Sequence, residues 1–202
     1  MKVWIVISFI VLAMLSMVSP GQATEPVEWT IDTYHSNIGF SVRHLMISNV
    51  KGGFSEFRGT VMVEPETGKL VSVVGEVDVK TVDTGIKKRD EHLLQDEFFN
   101  AEKYPKLTFR STKIEWDGDA VTLTGDLTIR DITKEVEAKG VFHGVQTVDM
   151  GYGLMQYAGY TFTGAINRKD FNLNFAKIVN GVAVVDDVVN ITIEVEINHK
   201  AE

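Results

Sequence analysis

Cysteine is absent from the 202-residue chain, and proline occurs only four times. Without cysteine the chain can form no disulfide bond, no thiol nucleophile and no lipid anchor on a cysteine. Basic residues are also scarce, because 20 Lys and Arg stand against 28 Asp and Glu and give a formal net charge of −8. Apart from Lys87-Lys88-Arg89 they are dispersed, so neither a nucleic-acid partner nor an electrostatic membrane anchor is predicted.

Long apolar runs are missing except near the N-terminus, where residues 3–18 follow Lys2 without a charge. This run is shorter than the about 20 apolar residues that span a bilayer, so a retained anchor helix is the less favoured alternative. We therefore predict a signal peptide over residues 1–23, with cleavage after Ala23. Export of a chain without disulfides fits a bacterial periplasm better than a eukaryotic secreted domain, and residues 24–202 suffice for one domain.

Signatures of catalysis and of metal binding are missing as well. The chain has no G-x-S-x-G elbow, and its five histidines include no closely spaced pair of the kind that binds zinc. The sequence therefore predicts no enzyme, no cofactor and no metal site, although distant strands could still bring His and Asp side chains together. His35 is interpreted as a turn or capping residue.

Alternation of apolar and polar residues dominates what is present, and it is typical of half-buried strands. Strands are predicted at residues 29–31, 38–42, 57–63, 73–79, 107–116, 121–129, 136–142, 160–166 and 191–197, which gives eight or nine. Short connections make neighbours antiparallel, and one apolar face per strand suits either a closed barrel or a two-sheet sandwich. The pattern alone leaves both architectures open, and it leaves open whether the interior is filled or hollow.

One segment breaks the alternation. Residues 86–99 place Leu93, Leu94, Phe98 and Phe99 close to helical spacing after a run of charged residues. Pro105 then ends any helix, since the residue before a proline disfavours helical geometry. We predict a short amphipathic helix inserted between two strands.

Five motifs carry a resemblance to a known family. They are Trp29-Thr-Ile-Asp-Thr-Tyr-His-Ser36, Phe54-Ser-Glu-Phe-Arg-Gly59, the DTG, RDEHL and FF runs between Asp83 and Phe99, Leu127-Thr-Ile-Arg-Asp-Ile-Thr-Lys134, and Asn167-Arg-Lys-Asp-Phe171. Through them the chain resembles the YceI-like family of bacterial periplasmic polyisoprenoid-binding proteins over nearly all of residues 24–202. The resemblance implies an all-β fold, a lipocalin-like extended antiparallel eight-stranded β-barrel with one short helical insertion near its mouth. It also implies that a long isoprenoid chain runs down the interior.

The chain departs from the family pattern at three positions. Asp131 and Asn172 stand where glycine is usual, and Glu135 stands where proline often follows Thr-Lys. Because Asp and Asn tolerate a left-handed backbone better than other residues with a side chain, we expect both turns to be kept. Glu135 should cost little on an exposed strand.

Alternation and the resemblance together select candidate ligand-binding residues. The lumen-lining candidates are Phe40, Val42, Leu94, Phe98, Phe99, Phe109, Leu127, Phe162 and Ile166. The candidates for a polar headgroup, such as a quinone carbonyl or a pyrophosphate, are Arg43, His44, Arg89, His92 and Arg168, since a guanidinium offers planar, bidentate hydrogen bonds. A structural alternative stays open: Arg89 and Asp90 could tie the helix to neighbouring loops, and Arg168 could form a turn salt bridge.

The main hypothesis is a periplasmic binding protein that sequesters or transports a polyisoprenoid lipid, either an isoprenoid quinone or a polyprenyl phosphate. The sequence does not distinguish storage of the lipid from its transfer, and a homodimer is compatible with the sequence. The first alternative is an enzyme that acts on an isoprenoid headgroup through His92, Asp90 and His44. The second is a ligand-free stress or interaction module whose lumen is filled with side chains.

Overall fold

The computed structural model describes residues 25–149, 151 and 153–201, and its main feature is a closed antiparallel barrel. The predicted signal peptide lies outside these residues. The strands are β1 (Val27–His44), β2 (Ser48–Phe54), β3 (Phe57–Val63), β4 (Leu70–Asp78), β5 (Val82–Asp83), β6 (Lys106–Asp117), β7 (Ala120–Ile129), β8 (Ile132–Asp149), β9 (Leu154–Asn167), β10 (Ile178–Val179), β11 (Val182–Ala183) and β12 (Val185–Lys200). The helix α1 (Lys87–Leu93) and two 3-10 turns, Val79–Thr81 and Arg168–Phe171, complete the elements. In the part of the chain that the structure describes, no helix has the length and apolar character needed to span a membrane.

Eight strands close the ring. Their order is β1, β3, β4, β6, β7, β8, β9 and β12, and β12 pairs again with β1. β2 continues β3 along the same side of β1, because Ser48 pairs with His44 at one end and Val61 pairs with Trp29 at the other. β2 and β3 therefore act as one bent strand. The predicted all-β fold and eight-stranded barrel are confirmed.

The predicted strands at residues 29–31 and 38–42 are two halves of β1. This strand pairs with β12 on both sides of an irregular stretch between Asp32 and Asn37. Polar residues interrupt the alternation there, because the bulge turns their side chains to solvent while the backbone continues along the barrel. Nine predicted segments thus give eight strands in the ring.

One end of the barrel is filled by side chains, and we call it the filled end. Trp29, Val63 and Val121 are almost fully buried there, in a cluster with Tyr160. Phe142 stacks on Tyr160 with ring centroids 5.1 Å apart. This end therefore forms an ordinary packed core.

A turn between β3 and β4 closes the filled end. Tyr160 donates its hydroxyl hydrogen to the carbonyl of Gly68, and burial raises the pKa of the Tyr160 phenol. Gly68 has a φ of +73°, and a Cβ there would come within 2.3 Å of Val145. Only glycine suits this position, since it accepts the left-handed backbone and leaves room for the valine.

The other end carries α1, the turn after β1, the second 3-10 turn and the β10–β11 hairpin, and we call it the capped end. The predicted helical insertion is confirmed, although α1 covers only Lys87–Leu93. After Leu93 the chain continues in tight turns, with Phe98 N donating to Gln95 O at 3.0 Å and Ala101 N to Leu94 O at 2.9 Å. These turns hold the two phenylalanines of the insertion against the barrel.

Of the two turn positions where the sequence predicts a left-handed backbone, Asn172 and Asp131, one has it and the other does not. Asn172 has the expected left-handed backbone, with φ +58°. In the β7–β8 hairpin, however, Arg130 has φ +59°, whereas Asp131 has no positive φ. Ile129 pairs with Ile132, so the turn has two residues and the first one takes the left-handed conformation.

Candidate ligand-binding cavity

An apolar cavity of about 310 Å³ runs inside the barrel between the filled end and the capped end. Its wall comes from the inward-facing positions of the ring strands, because alternate residues of a strand point to the same side. Along β12 these positions are Val185, Val189, Ile191, Ile193, Val195 and Ile197. A cavity of this size lies within the about 300 to 1,000 Å³ usual for small-molecule sites.

The cavity wall includes eight of the nine candidate lumen residues. They are Phe40, Val42, Phe98, Phe99, Phe109, Leu127, Phe162 and Ile166. Leu94 differs, since its predecessor Leu93 lies on the wall and Leu94 does not. Consecutive residues of a helix point about 100° apart, so only one of this pair can face the lumen.

Glycines keep the lumen hollow. A Cβ on Gly125 would come within 2.4 Å of the Phe109 ring, and one on Gly140 within 2.4 Å of the Phe162 ring. Each ring therefore lies against the backbone of the neighbouring strand instead of crossing the lumen. Gly75 also lies on the wall, but a Cβ there would meet nothing within 4 Å. The space beside Gly75 is open.

Aromatic rings form the roof of the cavity at the capped end. Phe99 packs edge-on against Phe54, with ring centroids 5.9 Å apart. Phe98 stacks on Phe175 at 5.0 Å, and His92 meets both of these rings edge-on. Since Phe98 and Phe99 also line the cavity, the insertion covers the lumen with its apolar underside.

Arg168 is the one headgroup candidate on the cavity wall. It is also the one charged side chain in the buried class among the described residues, with 4% of its surface exposed. Its guanidinium donates to Asp186 O at 2.8 Å, to Leu173 O at 2.5 Å and to Asp187 Oδ1 at 2.9 Å. Three of its five N–H groups are thus accounted for by these bonds, and the turn salt bridge considered from the sequence is present.

The other four headgroup candidates lie off the cavity wall. Arg89 bonds to Thr84, with Nε 2.7 Å from Thr84 Oγ1 and Nη2 2.8 Å from Thr84 O. His92 Nε2 bonds to Glu97 Oε1. Arg43 is exposed, and His44 pairs with Val185 beside the turn after β1. The contacts of Arg89 and His92 therefore tie α1 to its surroundings, which is the structural alternative left open above.

Arg130 holds the cap together, and sequence reasoning did not select it. Its Nη1 donates to Asp96 O and Phe98 O at 3.2 Å each, and to Asn172 O at 2.6 Å. It therefore joins the segment after α1 to the segment after the second 3-10 turn. No sequence signal marks this role, since all three acceptors are backbone carbonyls more than 30 residues away.

A small polar cluster lies on the outside of the barrel at the bulge of β1. His35 Nδ1 is 2.9 Å from Asp32 Oδ2 and 3.9 Å from Glu196 Oε1. The hydrogen bond with Asp32 raises the pKa of His35, and the same bond lowers the pKa of Asp32. These three residues supply the one group in the described part of the chain whose ligand atoms lie close enough together to hold a metal ion. Asp32 Oδ1 also accepts hydrogen bonds from the backbone N–H groups of Tyr34 and His35. The cluster therefore stabilises the bulge of β1, which agrees with the interpretation of His35 as a turn residue.

A closed eight-stranded barrel with an apolar lumen and a covered mouth is the architecture of lipocalin-like proteins. The family model described as "YceI-like domain" matches residues 29–197, and the chain belongs to this family. Protein YceI of Escherichia coli O157:H7 is 36% identical over 161 residues, which cover 78% of this chain and 81% of that protein.

Solved structures agree with this assignment. The YceI protein of Campylobacter jejuni, which crystallizes with large solvent channels, is 33% identical, with a TM-score of 0.68 over 79% of this chain and 90% of that one. A polyisoprenoid-binding domain from Saccharophagus degradans, implicated in plant cell wall breakdown, is 14% identical, with a TM-score of 0.57 over 84% of this chain and 97% of that one. At that identity the likeness concerns the fold alone.

Proposed function

We propose that this protein binds a polyisoprenoid lipid in its lumen and stores or carries it without chemical change. The observation that carries the proposal is the hollow, apolar cavity, which has unfilled space beside Gly75. The ligand-free module considered from the sequence would have a lumen filled with side chains, whereas this lumen has room for a lipid chain. The polyisoprenoid-binding domain with the same fold supports the choice of ligand.

The energetics favour a hydrocarbon chain. Burying a methylene contributes about 0.8 kcal/mol, so a five-carbon isoprene unit contributes at most roughly 4 kcal/mol before ordering costs. Since non-covalent affinities saturate near −18 to −21 kcal/mol, about five units would already reach the limit on paper. Longer chains would therefore be selected by fit to the lumen more than by affinity.

The polar head of the lipid, a quinone ring or a phosphate, would meet Arg168. This residue is the buried cation on the cavity wall, whereas Arg58 on the same wall is exposed and pairs with Glu76. The Arg168 guanidinium has N–H groups beyond the three that bond to the protein. Arg89 and His92 would contribute only through the position of α1, and Arg43 and His44 lie off the cavity wall. The site of action would be the periplasm, reached through the signal peptide proposed for residues 1–23.

Filling the lumen tests the proposal. Gly75→Phe places a ring into open space, so the barrel should fold while the cavity loses its volume. Thr60→Phe is the matched control, because Thr60 is exposed on the neighbouring β3 and pairs with the residue next to Gly75. We expect native mass spectrometry to find a co-purified lipid on the unaltered protein and on Thr60→Phe, and none on Gly75→Phe.

Two results would contradict the proposal. One is an equal amount of lipid on Gly75→Phe and on Thr60→Phe, which would place the ligand outside the lumen. The other is the absence of any lipid on all three proteins after incubation with an isoprenoid quinone and with a polyprenyl phosphate. Turnover of either lipid by the pure protein would support the enzyme alternative instead.

A further inference from the structure

Two loops at the capped end expose large aliphatic side chains. One is the turn after β1, with Met46 and Ile47 exposed by 43% and 80%. The other is the β10–β11 hairpin, with Ile178, Val179 and Val182 exposed by 70%, 43% and 39%. We call residues 45–47 and 178–183 together the tip loops. Exposed aliphatic residues grouped in this way mark an interaction surface.

The tip loops lie side by side at the mouth of the cavity. Leu45 N donates to Val184 O at 3.0 Å, and His44 pairs with Val185. Val42 and Val185, which border the two loops in sequence, line the cavity. An apolar surface therefore continues from the tip loops into the lumen.

The charge around the tip loops differs from that of the whole protein. Residues 43–55 and 171–185 contain no Asp or Glu, in a chain with a net charge of −8. The same stretches contain Arg43, Lys51 and Lys177, all exposed. On β1 and β2, Val42 pairs with Val50 on the lumen side, so Arg43 and Lys51 point outward. Folding thus collects cations that are dispersed in the sequence.

The backbone of the first loop is held in an unfavourable conformation. Leu45 and Met46 have φ values of +49° and +61°, in the left-handed region that residues with a side chain rarely adopt. Both residues lie at the centre of the β1–β2 hairpin turn, in which Ile47 N donates to His44 O at 3.1 Å, and a type I′ turn requires this conformation. Here the strained turn presents Ile47 to solvent.

We propose that the tip loops dock on a lipid bilayer with anionic headgroups, with their aliphatic side chains in the interfacial layer and the three cations against the headgroups. The tip loops have three exposed cations beside them, and Asp186 and Asp187, which follow Val185, already bond to backbone N–H groups and to Arg168 and Lys169. Aliphatic tips beside cations match an anionic bilayer in both polarity and sign. A second copy of the chain fits less well, because a stable interface needs about 20 to 30 residues a side and the tip loops are two narrow turns. The docking does not require that the cavity holds a lipid.

The absence of cysteine allows a direct test of insertion. The variants Ile47→Cys and Leu154→Cys each carry one environment-sensitive dye, and Leu154 is the matched control because it is 53% exposed at the filled end. The vesicles are phosphatidylcholine with or without phosphatidylglycerol. We expect a blue shift for the dye at position 47 with phosphatidylglycerol present, and none for the dye at position 154.

Charge and apolar contributions are tested by vesicle flotation. Each cation near an anionic surface contributes roughly a fivefold gain in binding, so changing Arg43, Lys51 and Lys177 together to Gln should weaken it about a hundredfold. Changing the exposed Lys113, Lys139 and Lys200 to Gln removes equal charge away from the tip loops and should have little effect. Ile47→Ser with Ile178→Ser should weaken binding, with the melting temperature unchanged.

Several outcomes would overturn the docking proposal. They are equal blue shifts at positions 47 and 154, binding that does not depend on phosphatidylglycerol, and equal losses for the two triple charge variants. A concentration-dependent shift at position 47 without vesicles, matched by dimers in sedimentation, would assign the tip loops to a second copy. Gly75→Phe should dock like the unaltered protein, so failure of lipid storage and failure of docking can be told apart.

Discussion

His35 and Asp32 form an ion pair whose strength depends on pH. The pair raises the pKa of His35, so the contribution of this histidine to stability is present below its usual value near 6.5 and is lost as pH rises through the raised pKa. The pair lowers the pKa of Asp32, so the contribution of this carboxylate is present above about 3.9 and is lost as pH falls through the lowered pKa. The pair is therefore strongest between about pH 4 and 6.5.

We predict that Asp32→Asn brings the pKa of His35 down toward 6.5, because asparagine cannot hold the imidazolium by charge. NMR titration of the His35 ring measures this. Asp126→Asn is the control, since Asp126 is an exposed acid on β7, far along the ring of strands from β1. An unchanged His35 pKa in Asp32→Asn would show that the two side chains do not pair in solution.

Single residues also show where sequence reasoning stops. Alternation predicts that Phe109 and Phe162 share the inward side with Leu127, and the structure places all three on the cavity wall. Helical spacing does not distinguish Leu93 from Leu94, because the two are consecutive at the end of a helix of fewer than two full turns, where few positions define the apolar face. The hollow itself depends on Gly75 and on the glycines behind the two rings, whose effect appears only when neighbouring strands are in register.

At the scale of elements, the cap is held by side chains that bond to backbone carbonyls. Arg130 joins the segment after α1 to the segment after Arg168–Phe171, and Arg168 bonds to Leu173 O and Asp186 O around the same turn. The sequence predicted the helical insertion from its spacing, but these long-range bonds to main-chain atoms leave no pattern in the sequence. These bonds hold the cap against the capped end of the barrel.

We predict that Arg130→Met speeds the release of a bound lipid by about tenfold to a hundredfold, because a charge-assisted hydrogen bond contributes roughly 1.5 to 3 kcal/mol. Methionine keeps the aliphatic length and faces the same left-handed backbone, so strain is unchanged. Release of a fluorescent isoprenoid into an excess of unlabelled ligand measures the rate. Arg110→Met, an exposed position on β6, is the control. A lower melting temperature with an unchanged release rate would show that Arg130 stabilises the fold without closing the lumen.

At the scale of the whole molecule, the barrel divides into a filled half and a hollow half. The filled end holds the buried cluster around Trp29, Val121 and Tyr160, whereas the inward residues Phe40, Val42 and Leu127 near the capped end are only half-buried. Inward-facing residues that keep exposed surface mean that the lumen is not packed by the protein alone. The fold class and ring were predictable from alternation and family motifs, but this division was not, since both halves have the same apolar pattern.

We predict that the two halves differ in amide hydrogen exchange and respond differently to a ligand. Opening free energies rise with buried apolar contacts, so amides around Val121 and Tyr160 should exchange slowest, and those of α1 and of the exposed residues 176–183 fastest. Adding an isoprenoid quinone should increase protection at the capped end, near Val42 and Ile166, because a ligand stabilises the state that it binds. The filled end already has its packing, so its local protection should change least. Gly75→Phe supplies the control, since a ring in the lumen should raise protection there without ligand and abolish the response to quinone. Equal changes at both ends would mean that the lipid acts on global stability and that the hollow half is not its site.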